Sequence, residues 1–171
     1  MNKLCHCKHT YNINQINNYN KIANDAKQTI NGIKNNVKNP SIILDIDETI
    51  IQNRCWKCGN ELREVKRINP IFNLYKWCIN NGIKVFFVTA RDIDGKNITI
   101  NQLKNIGAKN YDGLYLRNKN YKPTQNDISI QKFTIRKNIY KSGNSIIVNI
   151  GDQPHDLMGG YSLYAYLLPS Y

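Results

Sequence analysis

The stretch SIILDIDETIIQNR, Ser41 to Arg54, decides how the chain reads. An apolar run, Ile42–Ile46, is broken near its end by acids: Asp45, Asp47 and Glu48 fall within four residues. The run does not alternate with polar residues, so it reads as a strand buried on both faces, as in a parallel sheet covered by helices. Acids this close repel one another, and they are costly at a strand end unless a cation neutralises them.

Three further β-branched runs match it, at Ile83–Val88, Gly113–Leu116 and Ser145–Ile150. Helical stretches are predicted between them, near Pro70–Asn80, Ile98–Asn105 and Ile128–Tyr140, the first two closing at Gly82 and Gly107. The stretch 118–127 reads as a surface loop. Ahead of the first strand, Ile13, Ile16, Tyr19, Ile22, Ala26, Ile30, Ile33 and Val37 recur at spacings of three and four. They predict an amphipathic helix from about Asn12 to Lys38, stopped by Asn39-Pro40. Strand alternating with helix is the pattern of a three-layer, Rossmann-like α/β domain with a mainly parallel central sheet. The expected organisation is an N-terminal Cys/His-rich segment and helix over 1–40, then one α/β domain over 41–171. No gap between the motifs has room for a large cap domain.

In such sheets, sites form beyond the carboxyl ends of the strands. Here those ends carry Asp45 and Asp47 on the first, Thr89 and Arg91 on the second, and Asp152 and Asp156 on the last. If the strands are parallel, four carboxylates and a hydroxyl converge. The donors are all hard oxygens, which suits Mg²⁺ rather than a softer metal.

Three motifs in order resemble the haloacid dehalogenase (HAD) superfamily: DIDET, VTAR and GDQPHDL. Within it the chain resembles the class III acid phosphatases (subfamily IIIB), through DETIIQN, the GNSIIVNIGDQPHDL stretch and the YLLPSY tail. The resemblance implies a Mg²⁺-dependent phosphomonoesterase with an aspartyl-phosphate intermediate. Asp45 would be the nucleophile and Asp47 the general acid and base. Thr89 would hold a phosphoryl oxygen, and Thr49 and Arg91 would bind substrate, Arg91 either on phosphate or paired with a nearby acid. Asp45, Asp47, Asp152 and Asp156 would serve the metal, Asp156 either through water or by orienting the motif-three lysine. That lysine is assigned to Lys132, because KFTIR repeats the subfamily's Lys and Arg four residues apart; Lys137 is the second choice. Asn53 matches the subfamily as a loop-shaping residue, and His155 reads as a neighbour of the site rather than a participant.

The net charge of +12 and pI of about 9.5 favour anionic partners: phosphorylated small molecules, nucleotides or nucleic acid. Two other readings therefore stand beside the phosphatase: an enzyme acting on nucleotide or nucleic-acid terminal phosphates, and a catalytically silent scaffold or nucleic-acid-binding protein. An open site is expected, or one shielded by a second copy in a homo-oligomer. No apolar run approaches the roughly 20 residues of a membrane span, and the first residues show no signal peptide, so a cytoplasmic location is expected. In that reducing setting the five cysteines are not read as a disulfide set. Cys55 and Cys58 have the spacing of a zinc knuckle, to which Cys5, Cys7 or His9 would add the remaining ligands of a structural Zn²⁺. Cys78 reads as core.

Overall fold

The computed structural model describes residues 11–53 and 65–169. The sheet is built from β1 (Pro40–Leu44), β4 (Lys84–Asp92), β5 (Gly113–Arg117), β6 (Ser145–Gly151) and β7 (Tyr164–Leu167), in the order β5-β4-β1-β6-β7. Every pairing in it is parallel. A short antiparallel pair, β2 (Ile51–Gln52) with β3 (Lys66–Arg67), leaves the edge of the site. The helices are α1 (Ile13–Ile33), α2 (Asn69–Asn80), α3 (Lys96–Asn105), α4 (Gln125–Lys141) and the short α5 (Pro154–Leu157).

The unbroken apolar character of β1 follows from its two buried faces. Ile42 and Leu44 enter the larger core with Tyr19, Ala26 and Ile30 of α1 and Ile71, Leu74 and Cys78 of α2. Ile43 points the other way, into a smaller cluster with Phe86, Val88, Ile146 and Ile139 of α4. Successive strand residues face opposite layers, so a sheet covered on both sides needs an apolar residue at each. The three predicted layers are present, and α1 shares the sheet's own core.

Local signals set the helix ends. Asn12 and Gln15 form a reciprocal capping box at the start of α1. Gly82 and Gly107, at φ +70° and +92°, supply the left-handed residues that close α2 and α3. Thr124 caps Asp127 N, so the predicted loop yields its last three residues to α4.

Three differences from expectation have physical reasons. The helix α1 ends at Ile33, with a 3-10 turn beyond it, and its buried stripe is Tyr19, Ala23, Ala26 and Ile30. Ile13 and Ile16 are exposed among the described residues, at 67% and 38%. Strand β7 was not anticipated, because an edge strand with Tyr164 and Leu167 exposed carries no burial pattern to read. Strand β4 runs four residues past the apolar run, through a register shift between Val88 and Asp92, and so carries Arg91 forward. Between β4 and α4 lie only α3, β5 and a short loop, so no cap domain is inserted there.

Candidate functional site

Asp45 is the first residue beyond β1, the central strand, and its amide donates to Ile150 O on β6 at 3.0 Å. Asp152 is the first residue beyond β6, and Asp156 lies on α5. These three carboxylates are buried, and one oxygen from each lies within 4.8 Å of the others. Gly151 permits the approach: a Cβ there would stand 2.3 Å from Asp156 Cβ.

Lys132 reaches this group from α4. Its ammonium donates to Asp45 Oδ1 at 2.6 Å and to Asp156 Oδ1 at 2.5 Å, with its side chain 2% exposed. Lys137, the competing lysine, instead places its ammonium 6.0 Å from the Phe133 ring centroid. One turn from Lys132 on the same helix face, Arg136 donates to the carbonyls of Asp156, Met158 and Gly160. Asn149 adds a bond to Asp156 O at 2.8 Å. One helix therefore positions the lysine and also grips the loop that carries the acids.

Asp47 stands apart from the three-carboxylate group. Arg91 takes it in a bidentate pair, Nε to Oδ2 at 2.8 Å and Nη2 to Oδ1 at 2.7 Å. Asn53 Nδ2 donates to Oδ1 at 2.7 Å. Arg91 is itself braced by Thr99 and Gln102 of α3. Of the alternatives for Arg91, the described contact is with an acid. Thr89 is buried two residues beyond Phe87, the β-partner of Leu44, and its hydroxyl accepts from Arg91 N at 3.2 Å. Thr49 is fully buried, and its Oγ1 has no hydrogen-bond partner among the described residues. His155 is buried with Nδ1 3.4 Å from Asp156 Oδ1, and burial holds its imidazole below the usual value. The proposed zinc ligands Cys5, Cys7, His9, Cys55 and Cys58 lie outside the described residues.

Electrostatics shows what the cluster lacks. Burial pushes Asp45 well above the ordinary carboxylate range, with Lys132 opposing the rise. Burial lifts Asp152 to about 6. Burial also works against the charge on Lys132, but Asp45 and Asp156 outweigh it and hold the ammonium protonated. With all three acids ionised, three carboxylates against one ammonium would leave two negative charges; burial works against that charge on Asp45 and Asp152, and one divalent cation would neutralise it. The donors are all oxygens and the spacing admits one ion, so the residues present fit Mg²⁺.

A stability prediction follows from Asp152. Its folded value lies above its ordinary one, so folding takes up a proton between the two. The associated stability is complete below about pH 4 and is lost as pH rises through the folded value, a change of about 3 kcal/mol. In metal-free buffer the melting temperature is expected to fall between about pH 4 and 6 and to level off above that, and added Mg²⁺ is expected to restore it, because the cation binds the ionised form. Thermal melts across that range, with and without Mg²⁺, are the measurement. A flat metal-free profile would remove the burial argument.

The sequence profile described as HAD superfamily, subfamily IIIB (acid phosphatase) matches residues 54–166. The chain belongs to this subfamily. Two stem glycoproteins of Glycine max, of 28 kDa and 31 kDa, are each 31% identical to it over 87 residues. Those matches cover 51% of this chain but only 34% and 30% of the glycoproteins, so the chain spans a minor part of their length. The class C acid phosphatase from Bacillus anthracis shares the subfamily member's fold at a TM-score of 0.70 and 17% identity, over 87% of this chain and 67% of that one. A structure of the class C acid phosphatase from the same organism with tungstate bound gives 0.70 and 16%, over 88% and 68%. In this subfamily member no helix among the described residues is long and apolar enough to cross a membrane.

Reasoning on sequence missed two groups around the site. Glu48 accepts from Asn53 N at 2.7 Å and from the Tyr11 hydroxyl. Tyr19 was read only as core, yet its hydroxyl donates to Glu48 O at 2.7 Å. Contacts 29 and 37 residues apart leave no local signal.

Proposed function

We propose that the chain is a Mg²⁺-dependent phosphomonoesterase that works through an aspartyl-phosphate on Asp45. The observation that carries the reading is the buried Asp45, Asp152 and Asp156 group gathered around the single ammonium of Lys132. Family membership supports the activity. The tungstate complex of a structural neighbour supports it too, because tungstate is an oxyanion of phosphate's shape.

Asp45 Oδ attacks phosphorus and the bond from phosphorus to the ester oxygen breaks. Asp47, with its Arg91 Nε bond given up to carry a proton on Oδ2, gives that proton to the leaving oxygen as the alcohol departs. Asp47, now a carboxylate, takes a proton from water, whose oxygen attacks phosphorus. Inorganic phosphate leaves and the Asp45 carboxylate is restored. Lys132 holds Asp45 and meets charge on the phosphoryl oxygens, Thr89 and Thr49 offer hydroxyls to them, and Arg91 with Asn53 aims Asp47. Asp45, Asp152 and Asp156 would hold Mg²⁺, which would supply charge neutralisation between carboxylate and phosphate.

The substrate class is a phosphomonoester. The net charge of +12 favours nucleotides and other polyanionic esters among them. Phosphate release from a panel of phosphomonoesters with Mg²⁺ tests the reading, and EDTA is expected to remove the activity. Undiminished release in EDTA would overturn the metal dependence, and no release from any ester would overturn the activity. Competition by DNA or RNA at low salt would mark nucleic-acid ends as substrate.

A further inference from the structure

We propose that Glu48, fixed by the hydroxyl of Tyr19 on α1 and by that of Tyr11 just ahead of the helix, is the positioning residue for Asp47, so that the N-terminal helix is part of the catalytic unit. The inference rests on the preceding reading of Asp47 as the proton donor.

Glu48 is a non-glycine residue in the left-handed region, at φ +54°. That conformation costs about 1–2 kcal/mol for a residue with a Cβ and persists only where the surroundings over-determine it. Four bonds do so. Its amide donates to Ile51 O at 2.7 Å, and its carbonyl accepts from Tyr19 Oη at 2.7 Å. Its carboxylate accepts from Tyr11 Oη on one oxygen and from Asn53 N, at 2.7 Å, on the other. Asn53 then turns its own amide to Asp47 Oδ1 at 2.7 Å. The path from helix to acid is continuous: tyrosine hydroxyls, Glu48, Asn53, Asp47.

A third acid beside Asp45 and Asp47 adds repulsion, which a glutamine would avoid. A carboxylate accepts from both Tyr11 and Asn53 at once, and charge-assisted bonds are roughly twice as strong as neutral ones. Arg91 grips Asp47 from β4 with the other contacts to its carboxylate. Asp47 is thus set from two sides, and one side is anchored in α1.

The test uses Tyr11→Phe with Tyr19→Phe, and separately Glu48→Gln. Phenylalanine keeps the packed rings, whose centroids lie 5.4 Å apart, and removes only the hydroxyls. Turnover is measured with para-nitrophenyl phosphate, whose leaving group needs little protonation, and with an alkyl phosphate, whose leaving group needs a proton. A misaimed acid should slow the alkyl ester selectively, by about tenfold or more beyond any loss with the nitrophenyl ester, with KM unchanged. A purely structural role would slow both esters equally, and that result overturns the inference, as does parent-like turnover of both. Asp47→Asn, run alongside, should show the same selectivity in larger measure. If it does while the tyrosine and Glu48 variants do not, this inference alone fails. If Asp47→Asn shows no selectivity, the reading of Asp47 fails, and the inference with it.

Discussion

Asp45→Asn is expected to remove turnover while leaving the fold intact. Asparagine has the shape of aspartate but offers no carboxylate oxygen to phosphorus, so the phosphoenzyme cannot form. Loss of a covalent nucleophile costs about 10⁴-fold or more in kcat. The stability outcome is less obvious and more informative. Burial holds Asp45 well above the ordinary carboxylate range, so the fold works against its charge even with Lys132 alongside. A neutral amide relieves that cost, and Lys132 keeps its bond to Asp156 at 2.5 Å. Without metal, the variant should therefore melt at the parent temperature or above it. With Mg²⁺ it should gain less than the parent, because one of three carboxylates is gone. Phosphate release, with paired melts in EDTA and Mg²⁺, is the measurement. Release at the parent rate would take Asp45 out of the chemistry.

The sheet was legible because parallel strands buried on both faces leave a coarse mark. The Ile42–Leu44 run needs no partner to be recognised, only the fact that both its faces meet apolar layers. Asp45 and Asp152 were legible for a related reason: each follows the end of such a run, and parallel strands bring like ends together, with Asp156 following one helical turn later on α5. Choosing Lys132 needed the subfamily's spacing, since Lys137 sits on the same helix and composition does not separate them. Less could be read where partners are distant or peripheral. Strand β7 gains its place from pairing with β6, while its side chains stay largely exposed. The pairing of Arg91 with Asp47 depends on the register shift that extends β4, and a single sequence does not announce a bulge. The Tyr19 hydroxyl reaches Glu48 from a helix whose visible signal is only its apolar stripe. Periodicity records which face is buried and says nothing of a polar tip at its end.

Lys132→Met is expected to cost both stability and turnover, by separable routes. The side chain is 2% exposed and bonded to Asp45 and Asp156 at 2.6 and 2.5 Å. Removing one partner of a buried pair leaves its charge uncompensated, at a cost of about 3–5 kcal/mol. The loss should be largest in alkaline, metal-free buffer, where all three acids are ionised. It should shrink as pH falls through about 6, the value to which burial lifts Asp152, because protonation then removes the repulsion. Mg²⁺ should recover part of the loss at high pH, since it supplies the missing positive charge to the same oxygens. Turnover should nevertheless stay down by about 10²–10³-fold, because a preorganised donor to the phosphoryl group is gone. Lys132→Met with Asp156→Asn separates the two effects. Neutralising the stranded acid is expected to restore most of the melting temperature and none of the rate. If the double variant regained turnover together with stability, Lys132 would matter only for holding the acids together, and the charge it offers to a phosphoryl group would have no part in the reaction.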